Sequence, residues 1–345
     1  MAKLRLARKT NHRGDNMNPH RRALLAGMSA APLLSLPSFA RAQNAKNYPG
    51  GPITLIVPFP PGGGTDASSR LIAQVMSQRT GWNIVVENRP GAGGNIGLGL
   101  LSHANPDGMT IGMGQTSNLA INPSLYKTMP YDARKDFTPI ALVAGQPMIL
   151  VVREGSPYAT LQMLVTAAKA RPRSLNMASA GIGTVGHLAG EMFAKQAGIK
   201  FFHVPYPGAA RALADLAGGQ VDLYFGTPAS VLPLIQSGKL HAVAVTSPER
   251  LPAAVDVPTI AESGYAGFAA EDWKALVAPR GTPAAIVETL NRAANEALQQ
   301  PETKKRFAAE GSATLGGSAA EAATFIAAEY DRWGQAVRDS GTKME

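Results

Sequence analysis

Val57-Pro58-Phe59-Pro60-Pro61-Gly62-Gly63-Gly64-Thr65-Asp66 carries a β-type run straight into a glycine-rich loop that opens a helical pattern. Ala178-Ser179-Ala180-Gly181-Ile182-Gly183-Thr184-Val185-Gly186-His187 repeats the design in the second half of the chain. Glycine allows a ligand to approach the backbone closely, and the first free N–H groups of a helix together with its positive dipole end attract an anion. Each loop therefore reads as a cradle for a carboxylate or phosphate, although a single loop of this kind is also an ordinary strand-to-helix turn. Two of them, one in each half, suggest two lobes that close on one ligand from opposite sides.

Outward from these loops, β-rich runs alternate with helical patterns. The runs are Ile53–Pro58, Asn83–Glu87, Thr110–Gly114, Met148–Arg153, Ser174–Ala178, Lys200–Val204, Val221–Phe225, His241–Thr246 and Lys274–Ala278. Helical patterns between and after them run from Thr65–Arg79 to Ala319–Val337. This order predicts an α/β fold with largely parallel sheets. The length, 345 residues with 45% hydrophobic and 17% charged, suits two domains with cores of their own.

The formal net charge of +9 raises a nucleic-acid reading. Residues 1–42, however, hold Lys3, Arg5, Arg8, Lys9, Arg13, Arg21, Arg22 and Arg41 against the single acid Asp15, so most of the excess belongs to this segment. Its basic start, apolar stretch Ala23–Phe39 and small-residue site Ala40-Arg41-Ala42 form an export leader with cleavage expected after Ala42. Translation could start at Met1 or at Met17. The apolar stretch is interrupted by Pro32 and Pro37, which argues against a membrane span. With no cysteine in the chain, disulfides, cysteine nucleophiles and a lipobox anchor are excluded, and the expected location is the periplasm.

Chemistry-bearing constellations do not emerge. Gly181, Gly183 and Gly186 spell G-x-G-x-x-G, but the next strand ends Phe202-His203-Val204-Pro205-Tyr206 without the acid that a dinucleotide ribose requires. Ser179 lacks the first glycine of a nucleophile elbow. The six histidines have no metal-ligand spacing. No catalytic residue, metal or cofactor is expected. His187, in the first turn after the second loop, could donate to an anion or be structural; Asp66 could complement its helix dipole or accept from a ligand; Tyr206 could bind or pack.

The sequence resembles the periplasmic substrate-binding proteins of tripartite tricarboxylate transporters, the Bug or TctC family. The resemblance is carried by Tyr48-Pro49, the Val57–Asp66 loop, Val86–Gly97, Pro106-Asp107-Gly108, Leu119–Pro123, Ala178–Gly190, His203–Tyr206, Gly218–Asp222, Ala244–Ser247, Asp256–Thr259 and Ala278-Pro279. It implies a type II periplasmic-binding-protein fold with a ligand cleft between two lobes. The chain would cross between them near Gly145–Val152 and Ala269–Val277, giving a first lobe of 43–147 plus 270–345 and a second of 148–269.

By resemblance, the first lobe contacts the ligand through Pro61, Gly63, Gly64, Thr65 and Asp66, with Thr116 and Ser117 behind them. The second lobe would supply Ser179, Gly181, Gly183, Thr184 and His187, with Pro205, Tyr206 and Gly208 alongside. Pro207 and Gly226 depart from the family's common Lys and Asp, so the ligand class cannot be copied from relatives. The expected role is capture of a small organic acid, mono- or dicarboxylate and possibly aromatic, for an inner-membrane permease, by a monomer that performs no chemistry and binds no nucleic acid. Alternatives are a sensory receptor serving a membrane kinase and an exported carboxylate-processing enzyme.

Overall fold

The computed structural model describes residues 48–206 and 208–343; the leader, its cleavage site and Pro207 lie outside them. Eleven strands are found among the described residues. They are β1 (Ile53–Val57), β2 (Ile84–Asn88), β3 (Thr110–Gln115), β4 (Phe137–Pro147), β5 (Ile149–Arg153) and β6 (Asn176–Ser179). β7 (Phe202–Pro205), β8 (Leu223–Gly226), β9 (Leu240–Val245), β10 (Glu271–Pro279) and β11 (Ala313–Gly316) follow. The helices are α1 (Gly64–Thr80), α2 (Asn95–Ser102), α3 (Asn122–Leu125), α4 (Leu161–Ala170) and α5 (Val185–Ala197). After them come α6 (Ala209–Ala217), α7 (Pro228–Gln236), α8 (Ala284–Gln299), α9 (Pro301–Ala309) and α10 (Ala319–Ser340).

The strands form two sheets, ordered β11-β4-β10-β3-β1-β2 and β7-β6-β8-β5-β9, and the fold is a two-lobed α/β arrangement with one sheet in each lobe. Each sheet is mixed, which corrects the expectation of largely parallel sheets. β1 pairs in parallel with β2 and β3, as β6 does with β7 and β8, but β10 runs antiparallel to β3 and β4, and β5 antiparallel to β8 and β9. The cause is the connection between sheets. β4 ends at Pro147 in one sheet and β5 begins at Ile149 in the other, with only Met148 between them. The chain returns after β9 and enters the first sheet as β10, against the local direction. Strands β4 and β11 escape a reading based on local alternation, because their pairing is with β10 and with each other.

Alternation along β10 divides the interior. Leu276 and Ala278 join Ile53, Leu55, Ile72, Met76, Met113 and Leu290 on the face covered by α1 and α8. Trp273, Ala275 and Val277 point the other way, into a core that runs from the first sheet to Leu150, Met177, Phe193 and Phe225 of the second. Period-two alternation gives each face its own apolar set. At this junction Glu329 of α10 is buried, and its Oε2 accepts the indole N–H groups of Trp273 and Trp333, each at 2.8 Å. Arg332 Nη2 lies 2.8 Å from the same carboxylate, and Arg332 Nη1 donates to Ala269 O.

Candidate functional site

The two glycine loops leave the C-terminal ends of β1 and β6, one in each sheet. Between the sheets lies a cavity of about 320 Å³. Ser117, Gly183 and Thr184 of the expected residues line it, together with Phe59, Gln115, Asn122, Met148, Ile182, Tyr224, Thr227 and Asp272. The loops meet the opposite lobe closely: a Cβ placed on Gly183 would stand 2.2 Å from Leu125 Cδ2 of α3.

The helix starts at the two loops differ. α1 begins after Gly63 with no side-chain cap, so its first turn has no hydroxyl or carboxyl answering its N–H groups, and Pro61, Gly63 and Gly64 are exposed. Asp66 is buried and turned back onto its own loop. Its Oδ2 accepts from Gly62 N–H at 2.9 Å and from Arg70 Nε at 3.0 Å, and its Oδ1 accepts from Asn88 Nδ2 at 2.8 Å. Burial alone would raise this carboxyl, but the hydrogen bonds from Arg70, Gly62 and Asn88 outweigh it and hold the group below the usual carboxylate range. Thr65 Oγ1 donates to Gln115 Oε1 at 2.5 Å, and Gln115 Nε2 donates to Ser117 Oγ at 3.2 Å. Thr116 is fully buried, and its Oγ1 accepts the Trp273 N–H at 2.8 Å. It fastens β10 beneath the site.

The second loop is satisfied internally. Thr184 caps α5 by accepting the His187 N–H, and its Oγ1 also donates to Gly181 O at 2.9 Å. Gly183 N–H donates to His187 Nδ1 at 3.1 Å, and Gly181 N–H to Ser179 Oγ at 3.2 Å. His187 is thus buried behind the loop as an acceptor, with Glu191 Oε1 3.9 Å from its Nε2. Its ring stacks on His203 at 3.8 Å between centroids and 16° between planes, and His203 Nε2 lies 2.7 Å from Ser179 Oγ. Burial, reinforced by the neighbouring His203, pushes His187 down to about 3; burial also lowers His203. Both rings are neutral at physiological pH, and Nδ1 of His187 can accept only in that state.

Pro205, Tyr206 and Gly208 hold the edge of this lobe rather than lining the cavity. Tyr206 N–H donates to Ser179 O at 3.0 Å, Gly208 N–H to Ala180 O at 3.1 Å, and the Tyr206 hydroxyl to Asp215 at 2.7 Å. Gly226 ends β8 in tight packing: a Cβ there would lie 2.4 Å from Val231 Cγ1 and 2.6 Å from the Tyr224 ring, leaving no room for an aspartate. Gln115, Asn122, Tyr224 and Asp272 were not legible as cavity residues. Asn122 had a signal, since it lies in the Leu119–Pro123 motif; the others are single positions in strands.

The profile of the tripartite tricarboxylate transporter family receptor, TctC, matches residues 68–342. The chain belongs to that family. BugT of Bordetella pertussis is 38% identical over 307 residues, covering 89% of this chain and 94% of its own. Among solved structures, R. palustris Rpa4515 with adipate is 35% identical with a TM-score of 0.74, covering 85% of this chain and 98% of its own. MatC from Rhodopseudomonas palustris, with bound malate, is 33% identical with a TM-score of 0.71, covering 84% and 100%. No group of metal-ligating side chains occurs among the described residues, and none of the described helices is long and apolar enough to cross a membrane.

Proposed function

We propose that this protein is a periplasmic receptor that captures a small carboxylated metabolite between two lobes and hands it to a tripartite-type membrane permease, without chemical change. The observation that carries this reading is one cavity lined from both sheets, by Gln115 and Ser117 on one side and by the α5 start at Gly183 and Thr184 on the other, with the α1 start joined to its wall through the Thr65–Gln115 hydrogen bond. Backbone donors at α1 suit a carboxylate end, and the Ser117 hydroxyl, which accepts from Gln115 and keeps its own proton to donate, can complete its hydrogen bonding. The relatives solved with adipate and malate support a carboxylate as ligand.

We assign the first lobe to 43–147 plus 270–345 and the second to 148–269, in keeping with the strand membership of the sheets. Within the site, Gly63, Gly64 and Thr65 offer their backbone, and Ser117, Gly183 and Thr184 face the ligand. Pro61, Asp66, Thr116, Ser179, Gly181, His187, Pro205, Tyr206 and Gly208 fix the two loops. One chain supplies both halves of the cavity, which supports a receptor that works as a monomer.

A thermal-shift and calorimetric panel of aliphatic di- and tricarboxylates, amino acids and aromatic acids tests the assignment. A ligand of the native state raises the unfolding temperature by mass action. A panel with no member that does so would overturn the receptor reading.

A further inference from the structure

The second sheet has two ends, and the glycine loop after β6 leaves from the end that meets the cavity. The starts of β6, β7, β8 and β9 and the finish of β5 lie at the other end, because β6 pairs in parallel with β7 and β8 while β5 runs antiparallel to β8 and β9. Six exposed cations stand there. Arg153 closes β5, Lys169, Arg171 and Arg173 lie between the last turn of α4 and the start of β6, and Lys200 and Lys239 precede β7 and β9. Backbone bonds draw their turns together: Arg173 N–H donates to Lys200 O at 2.9 Å, and Glu154 N–H to Lys239 O at 3.1 Å.

None of the six joins an ion pair among the described residues. The acids at this end are Glu154 and Asp222, and Asp222 Oδ2 already accepts the Asn176 N–H at 2.7 Å. Beside them the half-buried Glu191 of α5 feels the charge of Arg173. Residues 43–345 hold 25 Lys and Arg against 23 Asp and Glu, so the excess at this one end exceeds that of the whole segment and makes it a positive pole. Complementarity with a helix dipole accounts for Lys169 in the last turn of α4, but Arg173 and Lys200 lie outside helices. Arg173 moreover holds φ +63°, a left-handed conformation that glycine adopts freely and a long side chain does not. Phe202, the first residue of edge strand β7, is 52% exposed and sets an aromatic ring two residues from Lys200.

We propose that this pole is a docking surface for anionic phospholipid, which holds the protein at a membrane surface and leaves the cavity end of the sheet free. The occupant is a lipid surface because the cations stand on turns around an exposed aromatic ring, and none of them lines the cavity. Charges so placed meet phosphates spread over a plane, and the ring settles at the level of the headgroups. This docking lies beyond the receptor reading and is independent of it.

Co-sedimentation of protein purified from the periplasm tests this on phosphatidylcholine vesicles with and without about 30% phosphatidylglycerol. Retention on the anionic vesicles should exceed that on pure phosphatidylcholine by about tenfold or more at low salt, and the difference should disappear near about 0.5 M salt, where screening is short-ranged. Each cation near a charged bilayer is worth about fivefold, so Lys169→Gln, Arg171→Gln, Arg173→Gly and Lys200→Gln together should remove the preference. If that variant does not melt as the wild type does, Arg171→Gln with Lys200→Gln gives the same reading as a fall of up to about 25-fold. Changing Arg79, Arg292, Lys304 and Lys305, exposed cations of α1, α8 and α9, to Gln removes the same charge elsewhere and should leave most of the preference in place. Equal retention on both kinds of vesicle overturns the proposal, as does an equal loss in the two fourfold variants. Retention by immobilised polyglutamate without retention by anionic vesicles also overturns it, and gives the pole to an acidic protein face.

Discussion

Thr246 Oγ1 accepts the Met148 N–H at 2.7 Å, and its own proton goes to Ala270 O at 2.5 Å. One buried hydroxyl thereby ties the outward crossing between the sheets to the returning one. Backbone bonds run beside it: Thr246 N–H to Met148 O at 2.9 Å and Ala270 N–H to Thr246 O at 3.0 Å.

Thr246→Val keeps the shape of this junction and strips out the hydroxyl. The Met148 amide and the Ala270 carbonyl lose their side-chain partner at a site without solvent access. The expected loss of unfolding free energy is about 1–3 kcal/mol, measured by urea titration. A change within about 0.5 kcal/mol would show that the backbone bonds suffice to hold the crossing.

Glu329→Ala should be more damaging. It removes the acceptor shared by two buried indoles and Arg332, and a loss of about 3 kcal/mol is expected, tempered because Arg332 is partly solvated. Glu329→Gln, which keeps an oxygen for the indoles, should fall between the variant and the wild type. Equal stability of all three would dissociate α10 from the anchoring of β10.

The stacked histidines predict a pH dependence. Both have folded-state values lowered by burial, His187 to about 3, so the unfolded chain binds more protons than the native one below the usual histidine range. Their contribution to stability is complete above about pH 6.5 and declines as pH falls, for His187 down to about 3, at up to about 1.4 kcal/mol per pH unit from that ring, with His203 adding to the fall in the same direction. His187→Gln, with one ring fewer to protonate, should flatten the fall in stability between pH 6 and 4, where the wild type steepens. Parallel curves for the two proteins would count against neutral, buried rings.

Gly63 and Gly183 separate binding from folding. Gly63 has φ −81° and a Cβ there would meet nothing nearer than Pro60 O at 3.7 Å, so Gly63→Val should fold and lose ligand affinity by crowding the α1 start. Gly183 has φ +74° and lies against Leu125, so Gly183→Val should destabilise the loop itself. Calorimetry paired with thermal melts distinguishes the two. Undiminished binding by folded Gly63→Val would exclude the first cradle.

Processing offers an independent check. Protein released from the periplasm should begin at Gln43, as read by intact mass. Recovery with the basic leader attached would refute export by cleavage after Ala42.

The glycine loops were legible because their signal is local: glycines, a following helix pattern and a preceding β run sit within ten residues. The same locality let the run Thr110–Gly114 be read as a strand, which the structure extends by one residue to Gln115. Asp272 and Gln115 carried no such signal, since their place at the cavity depends on register with Gln146 and Lys274, far away in the chain. His187 and His203 illustrate the same limit. They stack because β7 pairs with β6, and sheet neighbours are not written in either residue's surroundings.

The place of β10 between β3 and β4 also sets an order of assembly. All five strands of the second sheet come from one continuous stretch, Ile149–Val245, and can pair as soon as that stretch is available. The first sheet stays in two unjoined pieces, β1-β2-β3 on one side and a lone β4 on the other, until residues beyond Glu271 arrive to bridge them. A chain emerging from its N-terminus therefore completes its middle before its beginning, and the lobe that holds the open cradle of α1 is the last to close.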